Sequence, residues 1–294
     1  LRPEGLGERP ASTRPLRSTE GSDLAGLQYT SGTTSLPKGV MLRHRALLAN
    51  AYMIGERVGM SPDDVGISWL PLFHDMGLVG ALMTSLYWRY PLLLMPPESF
   101  LMHPRRWLQH ISRIRASLAV APNFAYQTAV DRISERHADG LDLSSWRCAF
   151  NGSEMVRATT VRAFEERFAQ YGFQGRAVLP VYGMAENTLA ATFPPRDAPW
   201  SSRRLDRDAL EQNRVLAATN GDRGLEVVAV GTPLAGVGVA VHDDDGRELP
   251  QGQLGEIVLQ SPSLMEGYFR KEAASRAVLD RGWLTAHQIE AVRG

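Results

Sequence analysis

Between Asp23 and about Pro195, short apolar runs alternate with longer stretches whose apolar residues recur at helical spacing. The pattern predicts strands at Leu24–Tyr29, Val65–Leu70, Leu92–Met95, Leu118–Ala121, Arg147–Phe150 and Val178–Val181. Between them it predicts helices at Arg43–Arg57, Met76–Trp88, Pro104–Ile114, Phe124–Ile133 and Ala158–Tyr171. In the last of these, Val161, Phe164 and Phe168 fall on one helical face. Strands that alternate with helices need crossover connections, so the expected fold is α/β, a mainly parallel sheet flanked by helices. Ligands of such sheets bind beyond the carboxyl ends of the strands, where the polar motifs below fall.

After Pro195 the texture changes. Arg196–Arg223 is polar and charged, an excursion with one short helix around Arg207–Gln212. The runs Leu225–Val230, Val237–His242 and Leu254–Gln260 follow, separated by the turns Asp244-Asp245-Gly246 and Pro250-Gln251-Gly252. They predict a smaller, mainly antiparallel β-rich subdomain. The expected organisation is therefore a linker or disordered lead-in at 1–22, an α/β subdomain at 23–195, and the excursion with the β-rich part at 196–294. No internal repeat is present.

Composition narrows the function classes. The 294 residues are 44% hydrophobic and 22% charged, enough for a substantial core. Lys+Arg and Asp+Glu each number 32, so no net basic field points to nucleic acid and no polybasic block to a membrane surface. The run Met76–Pro96 is interrupted by Arg89 and Pro91, and its helical part is too short to span a bilayer. A single cysteine, Cys148, excludes an internal disulfide and fits a reducing, cytoplasmic compartment; within Trp146–Phe150 it reads as a small buried hydrophobe.

The most informative segment is Thr30-Ser31-Gly32-Thr33-Thr34-Ser35-Leu36-Pro37-Lys38-Gly39, directly after a predicted strand. Glycines admit backbone N–H groups to a polyphosphate, hydroxyls donate hydrogen bonds and the ammonium offsets charge. The order is not that of a Walker loop, which places Lys and Ser/Thr at a helix start. By composition alone an ordinary Ser/Thr/Gly surface loop fits equally well.

The segment YTSGTTSLPKGVMLRH resembles the phosphate-binding signature of the acyl-adenylate-forming, or AMP-binding, superfamily. Further matches follow in order: Trp69-Leu70-Pro71-Leu72-Phe73-His74-Asp75-Met76-Gly77 resembles its aromatic and histidine gate, and Asn151-Gly152-Ser153-Glu154 the turn bordering adenine. Tyr182-Gly183-Met184-Ala185-Glu186 resembles its nucleotide motif, and Gly231-Thr232-Pro233 and Gly255-Glu256-Ile257 its later signatures. The resemblance runs from about Asp23 to Leu284. LQYTSGTT, WLPLFHDMGLVG, APNFAY, NGSE and YGMAEN are most similar to fatty acyl-AMP ligases, which pass the acyl group to a carrier-protein phosphopantetheine.

The resemblance implies ATP and Mg²⁺ as cofactors, a fatty acid as substrate, and an acyl-carrier protein or coenzyme A as acceptor. It implies that Thr30, Ser31, Gly32, Thr33, Thr34 and Lys38 hold phosphates and that Glu186 binds Mg²⁺, a hard cation suited to carboxylate and phosphate oxygens. Gly152, Ser153, Glu154, Tyr182, Gly183 and Met184 would border the nucleotide, with Tyr182 against adenine. His74 would border the carboxylate and acyl entrance, and Asn123 and Phe124 would line the acyl channel, although a helix N-terminal turn explains Pro122-Asn123 equally well. Amino-acid-activating relatives carry Asp directly after the Phe of the gate motif; His74 stands there, so no anchor for an α-amine is evident. Lys38, His74 and Glu186 are the expected catalytic groups, acting in an in-line attack of carboxylate on the α-phosphorus.

The sequence departs from the family pattern in places. Gly282-Trp283-Leu284 continues as Thr285-Ala286-His287-Gln288, where family members carry Thr-Gly-Asp, and Ser35 stands where Gly is usual. The resemblance implies that Leu1–Gly294 corresponds to the middle and latter part of the family's large domain, and the family's lysine-bearing lid is not expected within it. The chain is expected to be a partial large domain that binds ATP weakly and turns over poorly alone. An acyl-CoA synthetase and a non-catalytic nucleotide- or acyl-binding remnant are the alternatives.

Overall fold

The computed structural model describes residues 18–30, 37–219 and 224–286. It opens with a hairpin: β1 (Leu24–Thr30) pairs antiparallel with β2 (Lys38–Arg43), from Leu24 opposite Arg43 to Thr30 opposite Lys38. This corrects the sequence reading, which placed Leu24–Tyr29 in the β/α alternation and began a helix at Arg43. A strand intervenes, and helix α1 (His44–Val58) follows it at once. In β2, Val40 and Leu42 are buried while Met41 and Arg43 are half-buried; so short an alternation merges with the helical pattern behind it.

The main sheet is parallel throughout. It contains β3 (Gly66–Ser68), β4 (Leu92–Leu94), β5 (Leu118–Ala121), β6 (Cys148–Asn151) and β7 (Val178–Pro180), in the order β4-β3-β5-β6-β7. Every residue of β5 and β6 is buried, as expected for strands covered on both faces. The stretch from Met76 to Trp88 is helical as predicted, but it is π-wound over Met76–Met83 before continuing as α2 (Thr84–Trp88). Such wider turns are frequent at functional sites. Gly77 lets it start: a Cβ there would lie 2.3 Å from the Pro71 carbonyl oxygen.

The remaining crossovers use α3 (Pro97–Met102), α4 (Arg105–Ile114), α5 (Asn123–Arg132), α6 (Glu135–Ala138) and α7 (Ala158–Phe168). α4 buries Trp107, Leu108 and Ile111, and α7 buries Val161, Phe164 and Phe168. The predicted continuation of α7 to Tyr171 is instead a 3-10 turn, Ala169–Tyr171, closed by Gly172 at φ 84°. Between these helices and the sheet, Trp107, Tyr126, Trp146, Phe164 and Phe173 pack edge to face or stacked, with centroids 5.0–6.3 Å apart.

Beyond the parallel sheet the strands are antiparallel. β8 (Tyr182–Gly183) pairs with β9 (Ala190–Phe193) around a 3-10 turn at Ala185–Asn187. The polar excursion contains β10 (Ser202–Asp206) and α8 (Arg207–Glu211), and β10 pairs with β11 (Gly224–Val228). β10 escaped the sequence reading because its SRRLD side chains are exposed or half-buried and show no apolar alternation. β12 (Thr232–Pro233) joins β9. β13 (Gly238–His242), β14 (Glu256–Gln260), β16 (Leu279–Asp280) and β17 (Trp283–Ala286) form one sheet in the order β13-β14-β17-β16.

β15 (Gly267–Tyr268) does not join that sheet. It returns to β2, pairing Tyr268 with Val40, and the helix α9 (Glu272–Val278) follows it. A second core therefore draws on distant stretches: Val40, Leu42, Ala185, Ala191, Leu259, Met265, Tyr268 and Leu284 pack together. Among the described residues, no helix is long and apolar enough to cross a membrane.

Candidate functional site

Lys38 begins β2 at the loop end of the β1–β2 hairpin, directly opposite Thr30. Ser31, Gly32, Thr33 and Thr34 lie outside the described residues. The Lys38 ammonium sits 4.8 Å from the centroid of the Tyr268 ring, over its face, a cation–π arrangement. The hydroxyl of the same tyrosine donates to Glu186 Oε1 at 2.8 Å. One aromatic ring thus joins the hairpin and the carboxylate, 148 residues apart in sequence (186 − 38), at a single place.

The Glu186 turn is held from beneath. Thr188 adopts φ 67°, ψ −52°, and Leu189 N donates to Asn187 O at 2.7 Å, so Thr188 centres a γ-turn. That turn is rare and strained for a β-branched residue, costing on the order of 1–3 kcal/mol. A buried polar knot over-determines it. Asn50 Nδ2 lies within bonding distance of Asn187 O (3.2 Å), Ala190 O (3.0 Å) and Ser263 Oγ (2.9 Å), and Asn50 Oδ1 accepts from Ala190 N (3.0 Å). Ser263 Oγ donates to Asn187 Oδ1 (3.1 Å), and Thr188 Oγ1 to Ser263 O (2.6 Å). Met265 N donates to Glu186 O at 2.8 Å. Gly183 is fixed by close approach: a Cβ there would lie 1.8 Å from Leu189 O.

A second group of segments meets at His74. Its Nε2 lies 3.2 Å from Ser153 Oγ, and its Nδ1 lies 2.8 Å from Asp75 Oδ1. The hydrogen bond to Asp75 raises the His74 pKa above its ordinary value, against the opposing effect of burial. Gln28 of β1 donates to the Phe73 carbonyl at 2.7 Å, tying the hairpin to this segment. Ser153 sits at φ 70°, immediately after Gly152, where a Cβ would lie 2.8 Å from Val181 Cγ2. Glu154 Oε1 accepts from Phe124 N at 2.5 Å. Phe124 is partly exposed beside the Trp69–Phe100 stack. Asn123 is buried, and its Oδ1 accepts from Arg157 N at 3.1 Å and Asn151 Nδ2 at 3.4 Å, so it faces protein.

Two buried polar atoms between these groups, Tyr182 Oη and Asn151 Oδ1, find no hydrogen-bond partner among the described residues. Burial, then the Glu186 charge, pushes the Tyr182 hydroxyl up to about 12, so it stays a neutral donor. An orphaned acceptor at the end of β6 and an orphaned donor at the start of β8 suit a ligand rich in both, as a nucleotide is. Among the described residues no three His, Cys, Asp or Glu side chains gather closely enough to hold a metal alone. One carboxylate fits magnesium, which takes most of its ligands from phosphate and water.

Gln28 and Asn187 fall inside the runs LQYTSGTT and YGMAEN without a role being expected of them, and Tyr268, Asn50 and Ser263 were not singled out from the sequence. Nothing in the local pattern marks the last three: Tyr268 and Ser263 lie in a plain SLMEGYFRK run, and Asn50 lies within a regular helix. The long-range hydrogen bonds that tie them into the site span 45–213 residues.

A family profile described as AMP-binding enzyme matches residues 3–269. The chain is 41% identical over 252 residues to the medium-chain-fatty-acid–acyl-carrier-protein ligase JamA of Moorena producens, covering 84% of this chain and 43% of that protein. It is 36% identical over 262 residues to the long-chain-fatty-acid–AMP ligase FadD32 of Mycolicibacterium smegmatis, covering 86% and 41%. Its fold is similar to the crystal structure of a fatty acyl-adenylate ligase from Legionella pneumophila in complex with acyl adenylate and pyrophosphate: TM-score 0.87, 37% identity, 92% of this chain and 49% of that one. The chain spans about half the length of the relatives it matches.

Proposed function

The chain belongs to the AMP-binding enzyme family, and on that premise we propose that it serves ATP-dependent activation of a fatty acid to acyl-AMP with release of pyrophosphate. The observation that carries this reading is the convergence of Lys38 and Glu186 on Tyr268. A cation and a carboxylate at one point suit a magnesium polyphosphate, the ammonium meeting phosphate oxygens and the carboxylate meeting the metal. Magnesium held at Glu186 would supply charge neutralisation for the leaving pyrophosphate.

Each of the chain's own groups then has a task. Lys38, Thr30 and the Ser31–Thr34 segment hold the β- and γ-phosphates. Tyr182, Gly152, Ser153, Glu154, Gly183 and Met184 border the nucleoside. His74, kept in place by Asp75 and Ser153, orients the acid carboxylate so that one oxygen attacks the α-phosphorus as the bond to pyrophosphate breaks. Phe124, with Trp69 and Phe100 behind it, contributes an apolar wall for the acyl chain. Asn123 is assigned to holding the 151–157 turn. The acyl group passes on to a thiol, that of a carrier-protein phosphopantetheine or of coenzyme A.

The test is calorimetric titration of the chain with a non-hydrolysable fatty-acyl-adenylate analogue, followed by fatty-acid-dependent exchange of labelled pyrophosphate into ATP. Saturable binding that strengthens with acyl length is expected, with slow exchange. A chain that binds neither the analogue nor ATP contradicts the proposal. Supplying acyl-carrier protein or coenzyme A to the adenylate then decides the acceptor.

A further inference from the structure

We propose that Tyr268 is a positioning residue of the phosphate and metal site, its hydroxyl setting the Glu186 carboxylate and its ring setting the Lys38 ammonium. The inference rests on the proposed nucleotide reading and extends it to a residue from the far end of the chain.

The geometry separates the two tasks. The Tyr268 hydroxyl donates to Glu186 Oε1 at 2.8 Å, and the second carboxylate oxygen accepts nothing from a described residue. A carboxylate pinned through one oxygen presents the other in a fixed direction, as a single-carboxylate magnesium site needs. The ring carries Lys38 at 4.8 Å on its face, and no carboxylate among the described residues forms an ion pair with it. An ammonium paired with a carboxylate would meet phosphate less readily; one resting on an aromatic face keeps its charge.

Tyr268 is itself tightly placed. It is 5% exposed. Its N–H donates to Ser275 Oγ at 2.8 Å, and Ser275 Oγ donates to Lys271 O at 2.9 Å. The flanking backbone is tied on both sides: Glu266 N donates to Met41 O (3.0 Å), Phe269 N to Gly39 O (2.8 Å) and Met265 N to Glu186 O (2.8 Å). Glu266 also pairs with Arg43. The strap 265–269 therefore fastens the strand that carries Lys38 to the turn that carries Glu186, with Tyr268 at its centre.

The experiment is a set of ATP titrations, in Mg²⁺ and in EDTA, on the unmodified chain and on Tyr268→Phe, Tyr268→Leu, Glu186→Gln and the Tyr268→Phe/Glu186→Gln double variant. Tyr268→Phe removes only the hydroxyl. It is expected to weaken MgATP binding about tenfold, the scale of a hydrogen bond to a charged group, while affinity for metal-free ATP stays within about twofold. Tyr268→Leu is expected to weaken both. The double variant is expected to match Glu186→Gln alone, because the hydroxyl acts through that carboxylate. Unchanged MgATP affinity in Tyr268→Phe, or additive losses in the double variant, overturns the inference while leaving the nucleotide reading intact if Glu186→Gln still weakens binding. If Glu186→Gln changes nothing, or the unmodified chain does not bind MgATP, the reading fails and the inference with it. A merely structural role for Tyr268 would lower both affinities together in the Phe variant, and melting curves on each protein separate that outcome from unfolding.

Discussion

Asn50→Ala tests how the strained Glu186 turn is maintained. Asn50 is 0% exposed and bonds Asn187 O, Ala190 O, Ala190 N and Ser263 Oγ. Truncation leaves three of these groups with other partners: Ala190 O keeps Asn187 Nδ2 at 2.8 Å, Asn187 O keeps Leu189 N at 2.7 Å and Ser263 Oγ keeps Asn187 Oδ1 at 3.1 Å. Ala190 N–H loses the acceptor that Asn50 supplies, and an unsatisfied buried donor costs about 1–3 kcal/mol. The lost net bonding adds on the order of 1 kcal/mol, for a total of about 2–4 kcal/mol. Urea unfolding with an unchanged slope and an earlier midpoint is the expected result. Because the same knot holds the γ-turn at Thr188, MgATP affinity should fall as well, while the distant Trp107–Trp146 core keeps its near-ultraviolet dichroism. Asn187→Ala breaks the same network, so the double variant should lose less than the sum of the singles, by at least about 0.5 kcal/mol. A loss below about 0.5 kcal/mol for Asn50→Ala, or strict additivity, would refute the claim that this knot holds the turn.

Three further outcomes follow from the same geometry. Lys38→Ala should slow pyrophosphate exchange by on the order of 10²–10³, the usual loss for one electrostatic donor at a reacting group; an unchanged rate removes Lys38 from the mechanism. The hydrogen bond to Asp75 raises the His74 pKa above 6.5, so its stabilisation is full below about pH 6.5 and fades as pH rises through the raised value. The melting temperature lost in Asp75→Asn, which keeps a cap for Met76 N, should therefore be larger at about pH 5.5 than at about pH 8.5; an equal loss contradicts the pairing. Burial pushes the Cys148 thiol up to about 12, so a thiol reagent should label the native chain on the order of 10²–10³-fold more slowly than the urea-unfolded one, and comparable rates would place Cys148 at the surface.

The parallel sheet was legible because its strands, LAVA and CAFN among them, are buried at every position and almost wholly apolar, and the intervening helices carry clean stripes. Local period carries that much. It could not separate β2 from α1, since VMLR abuts the helix without a turn residue, nor find β10, whose exposed arginines are set by pairing with β11. The site divides in the same way. Motif order drew attention to Lys38, His74, Ser153 and Glu186, each beside a turn. Tyr268 and the Asn50–Asn187–Ser263 knot act only across long sequence separations, and one Tyr in a strand of two residues or one Asn in a helix has no local signature. Asn123 shows the converse: a motif position whose side chain is occupied by the protein itself.

The central claim is that Lys38 and Glu186 face one magnesium nucleotide. A crystal structure of this chain grown with MgATP tests it most directly. Triphosphate density between the Lys38 ammonium and the Glu186 carboxylate, with the metal on Glu186 and the base near Ser153 and Tyr182, is the expected result. A nucleotide bound elsewhere, with Lys38 still resting on Tyr268 and Glu186 touching no metal, would contradict the account.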